Sequence, residues 1–152
     1  MIDPDALPRP VHLRWQYLAL VFAGGTVGTA LRELLAISVP SVAGVAVVIV
    51  GINIVGAFLL GLLLETLARS GPDDGRRRQL RLLLGTGVLG GFTTYSALAT
   101  DTSLLLADDR LGTALLYALG TVIVGAITAW VGIACGAAVH RRRPGRGGTV
   151  AS

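Results

Sequence analysis

Four long apolar runs, separated by short stretches where the charges gather, leave this chain almost no choice of architecture. They cover about residues 13–37, 42–67, 80–106 and 111–139, and each reaches the roughly 20 residues a helix needs to cross a hydrocarbon core. Only 14% of the 152 residues are charged, against about 25% in a soluble domain. A helix satisfies its own backbone in lipid, so the expected fold is an all-α integral membrane protein of four transmembrane helices. The segment from Arg14 to Ala30 mimics a secretory signal, with a basic flank, an apolar stretch and small residues. Its apolar character continues past any cleavage point, which makes a retained first span the expectation.

The basic residues set the topology. All 13 are arginine. Four spans put both ends of the chain on one side, and with them lie Arg9, Arg14, Arg69, Arg76, Arg77, Arg78, Arg81, Arg141, Arg142, Arg143 and Arg146. Arg32 and Arg110 fall on the other side. The positive-inside rule therefore predicts a cell-membrane protein with both termini cytoplasmic. A net charge of +4 in so apolar a chain does not point to nucleic acid. Residues 1–12 read as a short cytoplasmic segment, 13–139 as the membrane domain and 140–152 as a basic, disordered cytoplasmic tail.

Small residues recur at helical spacing: Gly24 and Gly28, Gly87 and Gly91, Gly132 and Gly136. In lipid such faces let helix backbones approach closely. The third span carries a denser signal in "GTGVLGGFTTYSAL", residues 85–98. Paired glycines lose about 0.8–1.0 kcal/mol each as helix interior, and the threonines after them can satisfy freed backbone groups. A break of the third helix near mid-membrane is expected. Irregular backbone at that depth persists only where protein or a cavity covers it.

What is missing narrows the chemistry. His12 and His140 sit at span ends with no partners at metal or triad spacing, so no enzymatic reaction is expected. Cys135 reads as a small apolar residue. At hydrocarbon depth no Asp, Glu, Lys or His is expected, which argues against proton-coupled transport. What remains is neutral hydrogen-bonding capacity, above all Asn53 midway along the second span. Its amide must face another helix or a water-filled path.

The segments "GGTVGTALRELL", "GINIVGAFLLGLLLE" and "GTGVLGGFTTYSAL" resemble the signatures of the fluoride channel family known as Fluc or CrcB, over about residues 23–136. The resemblance implies an antiparallel dimer that lets fluoride leave the cell passively through pores along the subunit interface. It implies pore-lining roles for Asn53, Thr94, Tyr95, Ser96, Leu98, Tyr117 and Thr121. It also implies a structural sodium ion at the dimer centre, held by the backbone carbonyls of Gly90 and Thr93, and a structural arginine at Arg32. Neutral donors suit a small, strongly hydrated anion, whose lost water they replace. Aromatic edges, positively polarised, help as well.

Three positions depart from the family pattern: Leu98 and Tyr95 stand where phenylalanines are usual, and Ile49 where threonine is frequent. The arginine bias also opposes inverted insertion of half the copies. Both point to one half of a heterodimer, paired with an oppositely oriented paralogue and embedded in lipid. Two other readings compete. A small multidrug exporter would need a membrane-embedded glutamate, for which only Glu33 is near. A non-transporting assembly protein would show no dependence on Asn53 or Tyr95.

Overall fold

The computed structural model describes residues 14–42 and 46–141, and its regular elements are helices. Helix α1 is Trp15–Ser38 and α2 is Val47–Arg69. The third span is compound. Its first part, α3, starts as Gly75–Leu80, widens into a π-helix over Arg81–Leu89, and closes with the turn Gly90–Phe92. After two extended residues it resumes as α4, Tyr95–Ala107. Helix α5, Leu111–Arg141, is the fourth span. All four spans are long and apolar enough to cross a bilayer. Residues 1–12 and most of the expected tail lie outside the described residues, but His140 and Arg141 continue α5.

The sequence places residues 68–79 in the charged stretch between the second and third spans, whereas helix resumes at Gly75 and takes in Arg76, Arg77 and Arg78. Arginine is a good helix former, and the turn itself needs only Ser70 to Asp74. Gly71 and Gly75 have φ of 123° and 44°, the left-handed region that glycine enters without a steric penalty. Arg77 then ties the turn down. Its guanidinium donates to the carbonyls of Pro72 (2.7 Å) and Ser70 (3.1 Å) and to the carboxylate of Asp74 (3.0 Å). Asp73 accepts from Arg81 at 2.7 and 3.0 Å and from Arg78 at 3.4 Å. These arginines therefore fasten α2 to α3 as well as orienting the spans.

The bundle is held by two seams of small residues. Along one, α1 meets α3: a Cβ on Gly87 would lie 2.9 Å from Gly24 Cα, and one on Gly91 would lie 2.5 Å from the Gly25 carbonyl. A Cβ on Gly28 would collide with the Val88 carbonyl. Along the other seam α2 meets α5, where Gly61 lies against Ala129 and Gly132 against Phe58 and Leu62. Lipid tails are as apolar as leucine, so the association of these helices rests on close packing. The most deeply buried cluster is small, with Leu98 and Leu105 of α4 against Ala114 and Tyr117 of α5.

Gly28→Ala is expected to destabilise the protein by about 1–3 kcal/mol, the usual range for overpacking. Gly112→Ala, where a Cβ meets nothing within 4 Å, should be neutral or slightly stabilising; thermal unfolding in detergent compares the two. A pH effect follows from the turn. Hydrogen bonding from Arg81 holds the Asp73 carboxyl below its usual range. The fastening is therefore complete above the unfolded carboxylate value of about 3.9 and is lost as pH falls through the lower folded value. Exchange at the amides of Gly71, Asp73, Asp74 and Gly75 should rise only in that acid range, and Asp73→Asn should raise it at neutral pH.

Candidate functional site at the break of the third span

Thr93 (φ −76°, ψ 153°) and Thr94 (φ −147°, ψ 121°) are extended, so the third span unwinds for two residues, as its glycines and threonines predict. Each end of the break has its own cap. Thr93 folds back on α3, its amide and its Oγ1 both donating to the Leu89 carbonyl at 3.0 and 2.9 Å. Thr94 caps α4, where its Oγ1 accepts from the Ala97 amide at 3.2 Å. Asn53 bridges across from α2: its Oδ1 accepts from the Thr94 amide at 2.8 Å and its Nδ2 donates to the Thr94 carbonyl at 3.0 Å. From α1, Thr29 Oγ1 and Arg32 Nη1 donate to the Gly91 carbonyl at 3.5 and 3.4 Å. Arg32 also pairs with its neighbour Glu33 at 3.0 Å, which places a cation near the negative end of the α3 dipole.

A helix end leaves four carbonyls without an intrahelical partner. Here Leu89 and Gly91 are answered as above. Among the described residues, no hydrogen bond reaches the carbonyls of Gly90, Phe92 or Thr93. Gly90 is exposed on the surface of the single chain, as are Tyr95, 80% exposed, and Ser96. Open carbonyl oxygens are neutral, hard donors, and the pair expected to hold sodium, Gly90 and Thr93, belongs to this open set.

A cavity of about 320 Å³ opens beside the break, lined by Asn53, Ala57, Leu60, Thr93, Thr94, Tyr95, Leu98, Thr121, Val122 and Gly125. Of the expected pore residues, the structure thus brings Asn53, Thr94, Tyr95, Leu98 and Thr121 around one space. Ser96 faces a second one, with Arg32, Glu33, Ile49, Thr94 and Asp101 among its lining. Tyr117 lines neither; it is buried in the α4–α5 cluster. Leu98 is itself 5% exposed and packs in that cluster. Glu33 sits near the end of α1 and is exposed, unlike the embedded acid of an exporter.

Most of the polar side chains around the break have already spent their protons within the chain. Thr121 spends its hydroxyl proton on the Tyr117 carbonyl at 2.6 Å. Tyr117 spends its own on Asp101 Oδ2 at 2.9 Å. Thr94 and Ser96 share a hydroxyl contact of 3.1 Å, which uses one proton of the two. Each hydroxyl carries one proton and each amide nitrogen two. One hydroxyl proton of the Thr94–Ser96 pair, the Tyr95 hydroxyl proton and the second Asn53 N–H therefore remain.

Asp101 is the residue the sequence reading passes over. It lies six residues inside the end of α4 at Ala107, about 9 Å along the axis, and is half-buried against Tyr117. An aspartate within an apolar run was the available signal. Its partner lies 16 residues away on another helix, which spacing alone does not reveal.

Comparison with known proteins agrees with this architecture. A chain from Leifsonia xyli subsp. xyli named fluoride-specific ion channel FluC 2 is 54% identical over 134 residues, covering 88% of this chain and 92% of the relative. Fluoride-specific ion channel FluC 1 of Cutibacterium acnes is 46% identical over 127 residues, 83% of this chain and 89% of the relative. Fluoride-specific ion channel FluC of Novosphingobium aromaticivorans is 41% identical over 119 residues, 76% and 91% of the two chains. The family model described as CrcB-like protein, Camphor Resistance (CrcB), matches residues 19–133, so this chain belongs to the CrcB family.

Proposed function

We propose that the chain is one subunit of a fluoride-selective channel that lets fluoride leave the cell passively and so lowers its toxicity in the cytoplasm. The observation that carries the reading is the break at Thr93–Thr94, which sets open carbonyls and neutral donors beside a cavity, in a family whose relatives are named for fluoride. Passage of a small anion requires groups that replace its hydration without trapping it. The second Asn53 N–H, the Tyr95 hydroxyl and the one hydroxyl proton left to the Thr94–Ser96 pair offer donors for this, and the Tyr95 ring offers a polarised edge.

The working unit is proposed to be an antiparallel dimer. Exposed irregular backbone has no partner in hydrocarbon, and the exposure of Gly90, Tyr95 and Ser96 is what a second subunit would cover. In that setting the Gly90 and Thr93 carbonyls of both subunits would hold a sodium ion, whose fixed charge offsets part of the cost of desolvating an anion. The second subunit is proposed to be an oppositely oriented paralogue. Arginines at the α2–α3 turn and the α5 end hold this chain in one orientation, with both termini cytoplasmic. Leu98, packed among Leu105, Ala114 and Tyr117, offers a pore no aromatic edge, and the partner supplies it.

Liposomes test the assembly. This chain alone is expected to give fluoride efflux near the protein-free background, and co-reconstitution with a paralogue of reversed charge bias should restore it. Robust efflux from the chain alone defeats the heterodimer. For the ion, replacing sodium by a large organic cation throughout purification should slow efflux and lower the thermal stability of the dimer. Sodium should then restore both.

A further inference from the structure

We infer that Asn53 and Gly56 of α2 form a cradle that keeps Thr93 and Thr94 unwound, which makes Asn53 a positioning residue for the break. In a continuous α-helix the Thr94 amide would donate to the Gly90 carbonyl, four residues back. Instead it donates to Asn53 Oδ1 at 2.8 Å, and the Thr94 carbonyl takes Asn53 Nδ2 at 3.0 Å. A carboxamide carries an acceptor and a donor side by side, which matches the N–H and C=O that one extended residue presents on the same edge. One side chain on α2 thus answers both backbone groups of a residue 41 positions away. The Gly90 carbonyl is left open as a direct result, so α2 decides which oxygen of α3 is free.

Gly56 holds Thr93 independently of Asn53. It is buried one turn further along α2. A Cβ there would strike Thr93 Cγ2 and lie 3.5 Å from Phe92 Cδ1 and 3.7 Å from Thr93 Cβ. The Thr93 methyl has no easy escape, because Oγ1 is held on the Leu89 carbonyl at 2.9 Å. Turning the side chain would break that bond. Glycine at 56 therefore makes the notch for Thr93, and asparagine at 53 makes the clamp for Thr94. The sequence "NIVG", 53–56, is a seat shaped for an unwound Thr-Thr pair. The Asn53 amide is also fixed in orientation by this arrangement. Its remaining N–H, the one not spent on Thr94, is held in place at the cavity wall.

Hydrogen exchange on the full-length chain in lipid nanodiscs, with any partner chain that copurifies, reads the cradle without reference to the permeant ion. Asn53→Ala is expected to change exchange at the Thr94 amide by about tenfold or more, the scale of losing one or two hydrogen bonds. The change is upward if the segment is released and downward if it rewinds onto Gly90. Gly56→Ala, with Asn53 intact, should alter the same amides and leave α5 unchanged, and it serves if the asparagine variant does not fold. Asn53→Asp, which keeps the acceptor for the Thr94 amide, should give a smaller change. Exchange at residues 93–96 within about twofold of wild type in both alanine variants overturns the cradle, whatever happens to efflux. A uniform change across all helices does the same. The role inferred here rests on the fluoride reading only where efflux is measured; absence of efflux from the unmodified chain both alone and co-reconstituted with its paralogue defeats that reading and leaves the exchange result standing.

Discussion

Hydrocarbon offers a peptide group no hydrogen-bond partner, and the third span is shaped by how the chain meets that demand at Thr93 and Thr94. Unwinding two residues exposes polar groups that each cost several kcal/mol if left dry. Three helices converge to answer them. Helix α1 sends Thr29 and Arg32 to the Gly91 carbonyl, α2 sends Asn53 to Thr94, and α3 turns its own Thr93 back onto Leu89. Among the described residues no hydrogen bond reaches the carbonyls of Gly90, Phe92 and Thr93, which is the condition the proposed ion site needs. Structure and proposed function meet in that selective satisfaction.

The glycine seams make the convergence geometrically possible. Side chains of one methyl or more at Gly28 or Gly91 would push α1 away from α3, and the reach of Thr29 and Arg32 to Gly91, already 3.4–3.5 Å, would fail. Likewise α2 can present Asn53 to the break only because Gly56 admits Thr93 and because Gly61 and Gly132 hold α2 close to α5. Packing and chemistry are therefore not separable here. Residues remote from any ion set the distances on which its environment depends.

Much of this was readable in the chain. Hydropathy alone marks the four spans, because lipid imposes a length that soluble proteins seldom repeat four times. The Gly-Gly-Phe-Thr-Thr run announces the break, since glycine disfavours helix and threonine can cap a frayed end. Three features escape that kind of reading. The widening over Arg81–Leu89 is a choice between hydrogen bonds to the fourth or fifth residue back, and tertiary packing rather than composition decides it. The helical state of Arg76, Arg77 and Arg78 is hidden because charge reads as loop while arginine's own propensity is helical. The pairings of Asn53 with Thr94 and of Tyr117 with Asp101 join distant positions, which no local window contains.

The wide segment of α3 has a mechanical meaning once its two ends are considered together. Upstream, Arg81 is anchored to Asp73 at the turn; downstream, Thr94 is anchored to Asn53. The stretch between is thus tied upstream by an exposed ion pair and downstream by the paired hydrogen bonds of Asn53. One residue more or fewer there would twist every later carbonyl away from its present bearing relative to the turn, and the two-point contact of Asn53 with Thr94 would be lost. Chain length through this region is thus as much a determinant of the site as the identity of any side chain within it.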